Sequence, residues 1–225
     1  MSVLETKPEG KQFLSLKLAP ELENSRFDFR PGQYVKISNP KTKHEGVFAI
    51  ASEPEEKRFI EFLVKHEGRG IAHDLSGAKM GEHFRVSPAM GKGYTFGRLR
   101  GRNILLIGMG SSLSPLRSVL KSILRRDREF GEIILVYGVR TAEDIPYGGD
   151  FDFWAKKIKV CLALSQADQK GWSGFSGRVT ALLPTLKLDP EKTIACICGS
   201  HDMEREVKEI LEQAGFKKEN ILINY

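Results

Sequence analysis

The chain has 225 residues, 40% hydrophobic and 28% charged, with 35 Lys and Arg against 29 Asp and Glu for a formal charge of +6. Such a composition suits one large or two compact globular units, and it excludes a collagen-like repeat, a disordered chain and a disulfide-stapled miniprotein. No apolar run approaches the roughly 20 residues needed to span a bilayer. Met1 to Gly10 carries neither an export nor a transit pattern, so a soluble, cytoplasmic protein that does not engage membranes is expected.

In the first half, Leu14, Leu16 and Leu18 alternate with Ser15 and Lys17, which predicts a half-buried strand with the leucines on one face. Tyr34 to Ser38, Gly46 to Ala51, Phe59 to Val64 and His83 to Ser87 repeat the theme, and Gly70 to Leu75 is the one helical segment among them. Short strands at this spacing predict a small antiparallel β-barrel. A basic, glycine-containing connector, Phe96 to Arg102, then separates two expected domains, 1–98 and 102–225. Beyond it the rhythm changes to apolar runs alternating with helix-period segments. These are Ile104 to Ile107, Leu113 to Arg126, Ile133 to Tyr137, Ile158 to Ala163, Val179 to Leu183, Ile194 to Cys198 and Met203 to Ala214. That order predicts an α/β domain built on a parallel sheet covered on both faces, which binds ligands outside the carboxyl ends of its strands.

The basic residues are scattered, and no zinc-finger spacing or aromatic RNA-binding motif accompanies them, so a solvated basic surface is expected rather than a nucleic-acid site. The same surplus would attract an anionic dinucleotide or an acidic redox protein. Three cysteines form no disulfide framework; Cys196 and Cys198 are read as facing opposite sides of one strand. The five histidines fall in no metal-ligand spacing, so no metal site is assigned and each is expected at the surface.

Two segments carry chemistry. Ile104 to Ile107 runs into Gly108-Met109-Gly110-Ser111-Ser112-Leu113-Ser114-Pro115, a buried strand followed by a glycine-rich turn and a helix start. Backbone N–H groups at such a turn suit a phosphate, and Pro115 fits the first helical turn because its missing N–H costs nothing there. Leu113 stands where G-x-G-x-x-G requires its third glycine, and no Lys-Ser/Thr follows, so this is neither that fingerprint nor a P-loop. Farther on, Cys198-Gly199-Ser200 ends the late strand Ile194 to Cys198 at the sheet's ligand-binding edge. Gly171-Trp-Ser-Gly174 does not satisfy the G-x-S-x-G of serine hydrolases.

Together with Val136-Tyr137-Gly138-Val139-Arg140 and Met203, these segments resemble the nucleotide-binding domain of ferredoxin–NADP reductase-type flavoenzymes. The first half agrees. Arg30-Pro31-Gly32-Gln33-Tyr34-Val35, Phe48-Ala49-Ile50-Ala51-Ser52, Gly70-Ile71-Ala72-His73-Asp74-Leu75 and Met90-Gly91-Lys92-Gly93-Tyr94 resemble the family's flavin-side motifs in the same order, nearly along the whole chain. Phe-Ala-Ile-Ala-Ser and Met-Gly-x-Gly-Tyr are also similar to plant fruit and plastid-type homologues.

The resemblance implies a six-stranded barrel holding FAD and a second domain presenting NADH or NADPH to it, with hydride passing from coenzyme to flavin and electrons then leaving to an acceptor. It assigns flavin contacts to Tyr34, Phe48, Ala49, Ile50, Gly70, Ile71 and Ala72. Gly110, Ser111, Ser112, Gly138, Arg140, Gly199 and Met203 would line the nicotinamide nucleotide, with Cys198 beside the nicotinamide ring and Tyr225 approaching the flavin or that pocket. Cys198, Ala49 and Tyr225 are thus the residues nearest the reacting centre. Departures accompany the likeness: the family's flavin-phosphate arginine falls at Gly46, its serine near flavin N5 is Ala49, and glycine and proline are replaced by Ser112 and Ser200. Lys36, Lys43, Lys65 and Lys92 are candidates to replace the lost cation. No acidic residue directly follows Tyr137-Gly138-Val139 to hold the ribose diol of NADH, but Gln166 stands where NADP-using relatives often carry arginine, and on that residue NADH is favoured. The acceptor is expected to be an acidic redox protein or an iron–sulfur subunit. An electron-transfer subunit of a larger complex and a non-catalytic nucleotide-binding scaffold are the alternatives, and a cysteine cluster for a [2Fe-2S] centre is not expected, since Cys198 is the last cysteine.

Overall fold

The computed structural model describes residues 1–21, 26–167 and 171–223. The first half folds into β1 (Ser2–Glu9), β2 (Phe13–Ala19), β3 (Tyr34–Ser38), β4 (Glu45–Ala49), β5 (Ile60–Lys65) and β6 (Arg85–Val86), with the short helix α1 (Gly70–Ser76) between the last two. These strands form two antiparallel three-stranded sheets, β1-β2-β5 and β4-β3-β6. Single bridges, Ile50 to Phe62 and Ser2 to His83, join the sheets at both seams, so the barrel closes through isolated pairs rather than continuous ladders. Its core is Leu14, Leu16, Leu18, Val35, Ile37, Ile50, Phe62 and Val64, plugged from one side by Ile71, Ala72 and Leu75 of α1.

The helix α2 (Phe96–Leu99) occupies the connector. The second half then builds β7 (Asn103–Met109), α3 (Leu113–Leu124), β8 (Ile133–Val139), α4 (Gly148–Trp154), β9 (Lys159–Leu164), β10 (Phe175–Ser176), α5 (Val179–Leu182), β11 (Thr193–Cys198), α6 (His201–Gln213) and β12 (Ile221–Ile223). The strands pair in parallel in the order β10-β9-β8-β7-β11-β12. Central β8 is buried along its full length, as a sheet covered on both faces requires. From β7 the chain moves outward through β8 and β9, then returns to lay β11 on the other side of β7. The order therefore reverses between β7 and β11, the topological switch point where open α/β sheets take ligands.

Two sequence expectations change in the structure. On β2, Ser15 is buried together with Leu14 and Leu16, because the outer face of this strand is covered by the second half rather than by water. Cys196 and Cys198 pack on the same hydrophobic cluster, since residues two apart on a strand share a face; both are free thiols. Val179 to Leu182, one of the alternating segments of the second half, forms a short helix. Among the described residues, no helix is long and apolar enough to cross a membrane.

The two halves share a seam. Phe13, Leu63 and Tyr94 from the first half enter the hydrophobic cluster of the second, and Tyr94 donates its hydroxyl to the Ile197 carbonyl at 2.9 Å. Arg117, on α3, is its central charge. Its side chain is 7% exposed and lies 2.9 Å from Glu61 and 2.6 Å from Asp150. It also donates to the Ala51 carbonyl at 3.0 Å and stacks 4.0 Å from the Tyr147 ring centroid. Beside it, Glu53 meets Lys121 and Arg125, and Glu55 meets Arg126.

Candidate functional site

At the mouth of this seam, the carboxyl ends of β7 and β11 face the barrel across a cleft of about 1470 Å³. That volume exceeds the roughly 300–1,000 Å³ of a drug-sized pocket.

The wall formed by the second half is made mostly of turns. After β7 the chain passes through Gly110, at φ +53°, into a turn of Gly110–Ser112 and then α3. Only glycine takes that left-handed geometry cheaply. The Ser112 hydroxyl lies 2.7 Å from both the N–H and the carbonyl of Met109, accepting from one and donating to the other, so it braces the turn rather than facing a ligand. A Cβ at Gly108 would come 2.6 Å from Leu116 Cδ1 and 2.7 Å from Ser112 Oγ, and one at Gly138 would come 2.7 Å from Val179 Cγ1. These glycines let α3 and α5 close down on the sheet. The Gly110 carbonyl accepts the Tyr137 hydroxyl at 2.8 Å, and burial pushes that phenol well above its ordinary range.

Cys198 ends β11 in the cleft. Burial, reinforced by the Glu204 carboxylate, pushes its thiol up to about 12, so at neutral pH it is an uncharged, weakly polar group and not a thiolate nucleophile. Glu204 accepts the Gly199 N–H at 3.0 Å and so holds the following turn, while the Ser200 hydroxyl accepts from the Met203 N–H to start α6. Arg140, at the end of β8, and Arg178, just before α5, are exposed at the cleft's outer end. Neither ion-pairs with a described residue.

The barrel wall supplies Phe48, Ala49, Gly70, Ile71 and Ala72. Gly70 has φ +69°, and a Cβ there would meet nothing within 4 Å, so this backbone is open to a ligand. Lys65, Arg69 and His44 also line this wall.

The structure thus gathers most of the sequence-assigned residues on one cleft: Phe48, Ala49, Gly70, Ile71 and Ala72 on one side, and Gly110, Ser111, Ser112, Gly138, Arg140, Cys198, Gly199 and Met203 on the other. Tyr34 and Ile50 stand apart from the lining; Tyr34 is a half-buried β3 residue paired with Ala49, and Ile50 lies in the barrel core. Tyr225 lies outside the described residues. Of the four lysines considered as replacement cations, Lys65 lines the cleft and Lys92 does not, whereas Lys36 pairs with Glu45 and Lys43 donates to the Pro40 carbonyl. His44, Arg69 and Arg178 are cleft residues that sequence reasoning missed, since single basic residues in turns have no period or motif to mark them. Among the described residues, no group of His, Cys, Asp and Glu is arranged to hold a metal.

The glycine cradles, the unneutralised arginines and the apolar Phe48 and Ala49 fit anionic dinucleotides with flat rings. Comparison with known proteins agrees. Residues 106–209 match the family model of the oxidoreductase NAD-binding domain. The chain is 28% identical over 220 residues to sulfhydrogenase 1 subunit gamma of Pyrococcus furiosus, covering 95% of this chain and 73% of that protein. It is 29% identical over 213 residues to the reductase component of propane 2-monooxygenase from Mycolicibacterium goodii, covering 89% of this chain and 60% of that one. These relatives are a hydrogenase subunit and an oxygenase reductase component rather than the plant plastid-type proteins that some motifs suggest. In fold it is similar to the ferredoxin–NADP+ reductase of Neisseria gonorrhoeae solved with bound FAD and NADP, with a TM-score of 0.82, 18% identity, and 99% of this chain and 96% of that chain covered. Residues 106–209 thus form an oxidoreductase NAD-binding domain, and with the barrel set before it the chain has the two-domain fold of ferredoxin reductases and is similar across both halves to these reductase components.

Proposed function

We propose that this protein passes a hydride from a nicotinamide coenzyme to FAD and delivers the electrons to a partner protein carrying an iron–sulfur centre. The observation that carries this reading is the meeting of the Cys198 turn and the Phe48–Ala49 strand across one cleft at the sheet's switch point. The units 1–98 and 102–225 then act as flavin-binding and coenzyme-binding domains.

FAD, when bound, supplies the hydride-accepting and electron-releasing chemistry. This chain's residues position and insulate it. The N–H groups of the Gly110-to-Leu113 turn receive the coenzyme's phosphates. Arg140 and Arg178 hold the charge at its adenosine end. The neutral thiol of Cys198, fixed through Gly199 and Glu204, fills space beside the nicotinamide without competing as a base or nucleophile. Ala49 brings no hydroxyl to the flavin face, so flavin reduction is slower than a serine would make it. NADH is the proposed coenzyme, because neutral Gln166 follows Ser165. The exposed Arg140 and Arg178 are the groups that would admit a 2′-phosphate, which makes NADPH the competing outcome. An acidic acceptor suits the net charge of +6. The unpaired cysteines suit a reducing, cytoplasmic setting.

The test is the visible spectrum of the purified protein reconstituted with FAD, followed anaerobically as NADH or NADPH is added. Bleaching of a bound flavin, with higher kcat/KM for NADH, is the expected result. A protein that takes up no FAD would instead be a nucleotide-binding scaffold.

A further inference from the structure

The barrel wall of the cleft carries three basic residues, His44, Lys65 and Arg69. The side chains of Lys65 and Arg69 make no hydrogen bond or ion pair with a described residue, so each would have to be ordered when a ligand arrives, at a cost in side-chain entropy. His44 is already held. It extends the β3–β4 hairpin, its carbonyl accepting the Asn39 N–H at 2.9 Å. Its Nδ1 lies 3.1 and 3.3 Å from the two carboxylate oxygens of Asp74 on α1.

Asp74 is itself fully engaged. Its side chain is 8% exposed, and it accepts from Thr42 Oγ1 and, at 3.0 Å, from Asn39 Nδ2. Burial works to raise this carboxyl, but the hydrogen bonds from Thr42, His44 and Asn39 outweigh it and hold the group below its usual range. An ionised carboxylate only accepts, so Nδ1 carries a hydrogen, and Nε2 is the nitrogen left to a ligand, donating to a phosphate when it carries the second hydrogen. Farther along the same strand face, Gly46 cannot carry a side chain, because a Cβ there would come 2.7 Å from Ile71 Cγ2 and 3.4 Å from the Phe48 ring. Positions 44, 46 and 48 alternate onto one face, and His44 is the polar side chain on it.

We propose that His44, oriented by Asp74, binds the phosphates of the flavin dinucleotide on the barrel wall. The assignment rests on the flavoenzyme reading above and names the residue that anchors the cofactor. Asp74 is a positioning residue: it fixes which imidazole nitrogen faces the phosphate.

The experiment titrates the full-length apoprotein with FAD and, separately, with riboflavin, which has the same ring and no phosphate, following flavin fluorescence. His44→Ala is expected to weaken FAD binding by roughly ten- to a hundredfold, the range of a hydrogen bond to a charged group, while riboflavin binding stays at the wild-type value and reports an intact fold. His44→Arg is expected to restore FAD affinity, and Asp74→Asn to give an intermediate loss of FAD with riboflavin again unchanged. Wild-type FAD affinity in His44→Ala, or equal loss of FAD and riboflavin, overturns the proposal. Loss of FAD in Arg69→Gln with none in His44→Ala also overturns it and moves the anchor to Arg69. A wild-type protein that binds neither flavin refutes the flavoenzyme reading first, and this assignment with it.

Discussion

The seam and the cleft lie side by side between the same two halves, yet they treat charge in opposite ways. In the seam, Arg117, Lys121, Arg125 and Arg126 each meet a carboxylate of the first half. In the cleft, Lys65, Arg69, Arg140 and Arg178 pair with no carboxylate among the described residues. Charge is neutralised where the halves are held together and left unpaired on these four side chains, while His44, also in the cleft, is held by Asp74. The contrast distinguishes structural from functional basic residues in a protein whose net charge alone would not.

The largest expected effect comes from breaking the seam at its centre. Arg117→Ala leaves Glu61 buried without its partner, and the loss should be about 3–5 kcal/mol by urea unfolding. A loss below about 1 kcal/mol would mean that the buried pair does not hold the halves together. Next is Gly46→Ala, whose new methyl group collides with Ile71 and should cost about 1–3 kcal/mol through overpacking. The double variant with Ile71→Ala should recover part of the overpacking loss.

Acid should probe the seam more gently. Glu53 is buried, which works to raise its carboxyl, but Arg125 and Lys121 together lower it from 4.5 to about 2. The folded state therefore binds fewer protons than the unfolded chain between these values. The stabilisation is present above pH 4.5 and lost as the pH falls toward 2. After discounting for the exposed Arg125 it should amount to about 1–2 kcal/mol, and Glu53→Gln should flatten that part of the pH–stability curve. Smallest of all should be the stability effect of Arg140→Ala and Arg178→Ala, under about 0.5 kcal/mol for exposed, unpaired side chains. Each should nonetheless weaken coenzyme binding measurably by calorimetry. A large stability loss in either would dissolve the distinction between the two regions.

What could be read from the sequence was what repeats locally. The apolar runs of β7, β8 and β11 and the glycine turn after β7 announce a parallel sheet with a phosphate-facing edge, because each signal fits within about ten residues. β1 escaped notice because most of its positions face solvent and β2 supplies its pairing. The helix α4, opening with two glycines, offered no start signal. The seam was beyond local reading, since Arg117 and Glu61 are 56 residues apart and neither betrays its partner. His44 was hidden for the same reason: Asp74, which gives it a fixed orientation, lies 30 residues away on another element.

One helix belongs to both regions. α3 begins at the cleft with Ser114 and Pro115 and, less than a turn later, places Arg117 in the seam. One helix therefore shapes the cleft and holds the halves together. A ligand seated at the head of α3 binds only the folded chain, in which Arg117 is clasped, so unfolding the seam also releases the ligand. The melting temperature of this protein then becomes a gauge of occupancy, rising with coenzyme concentration by mass action.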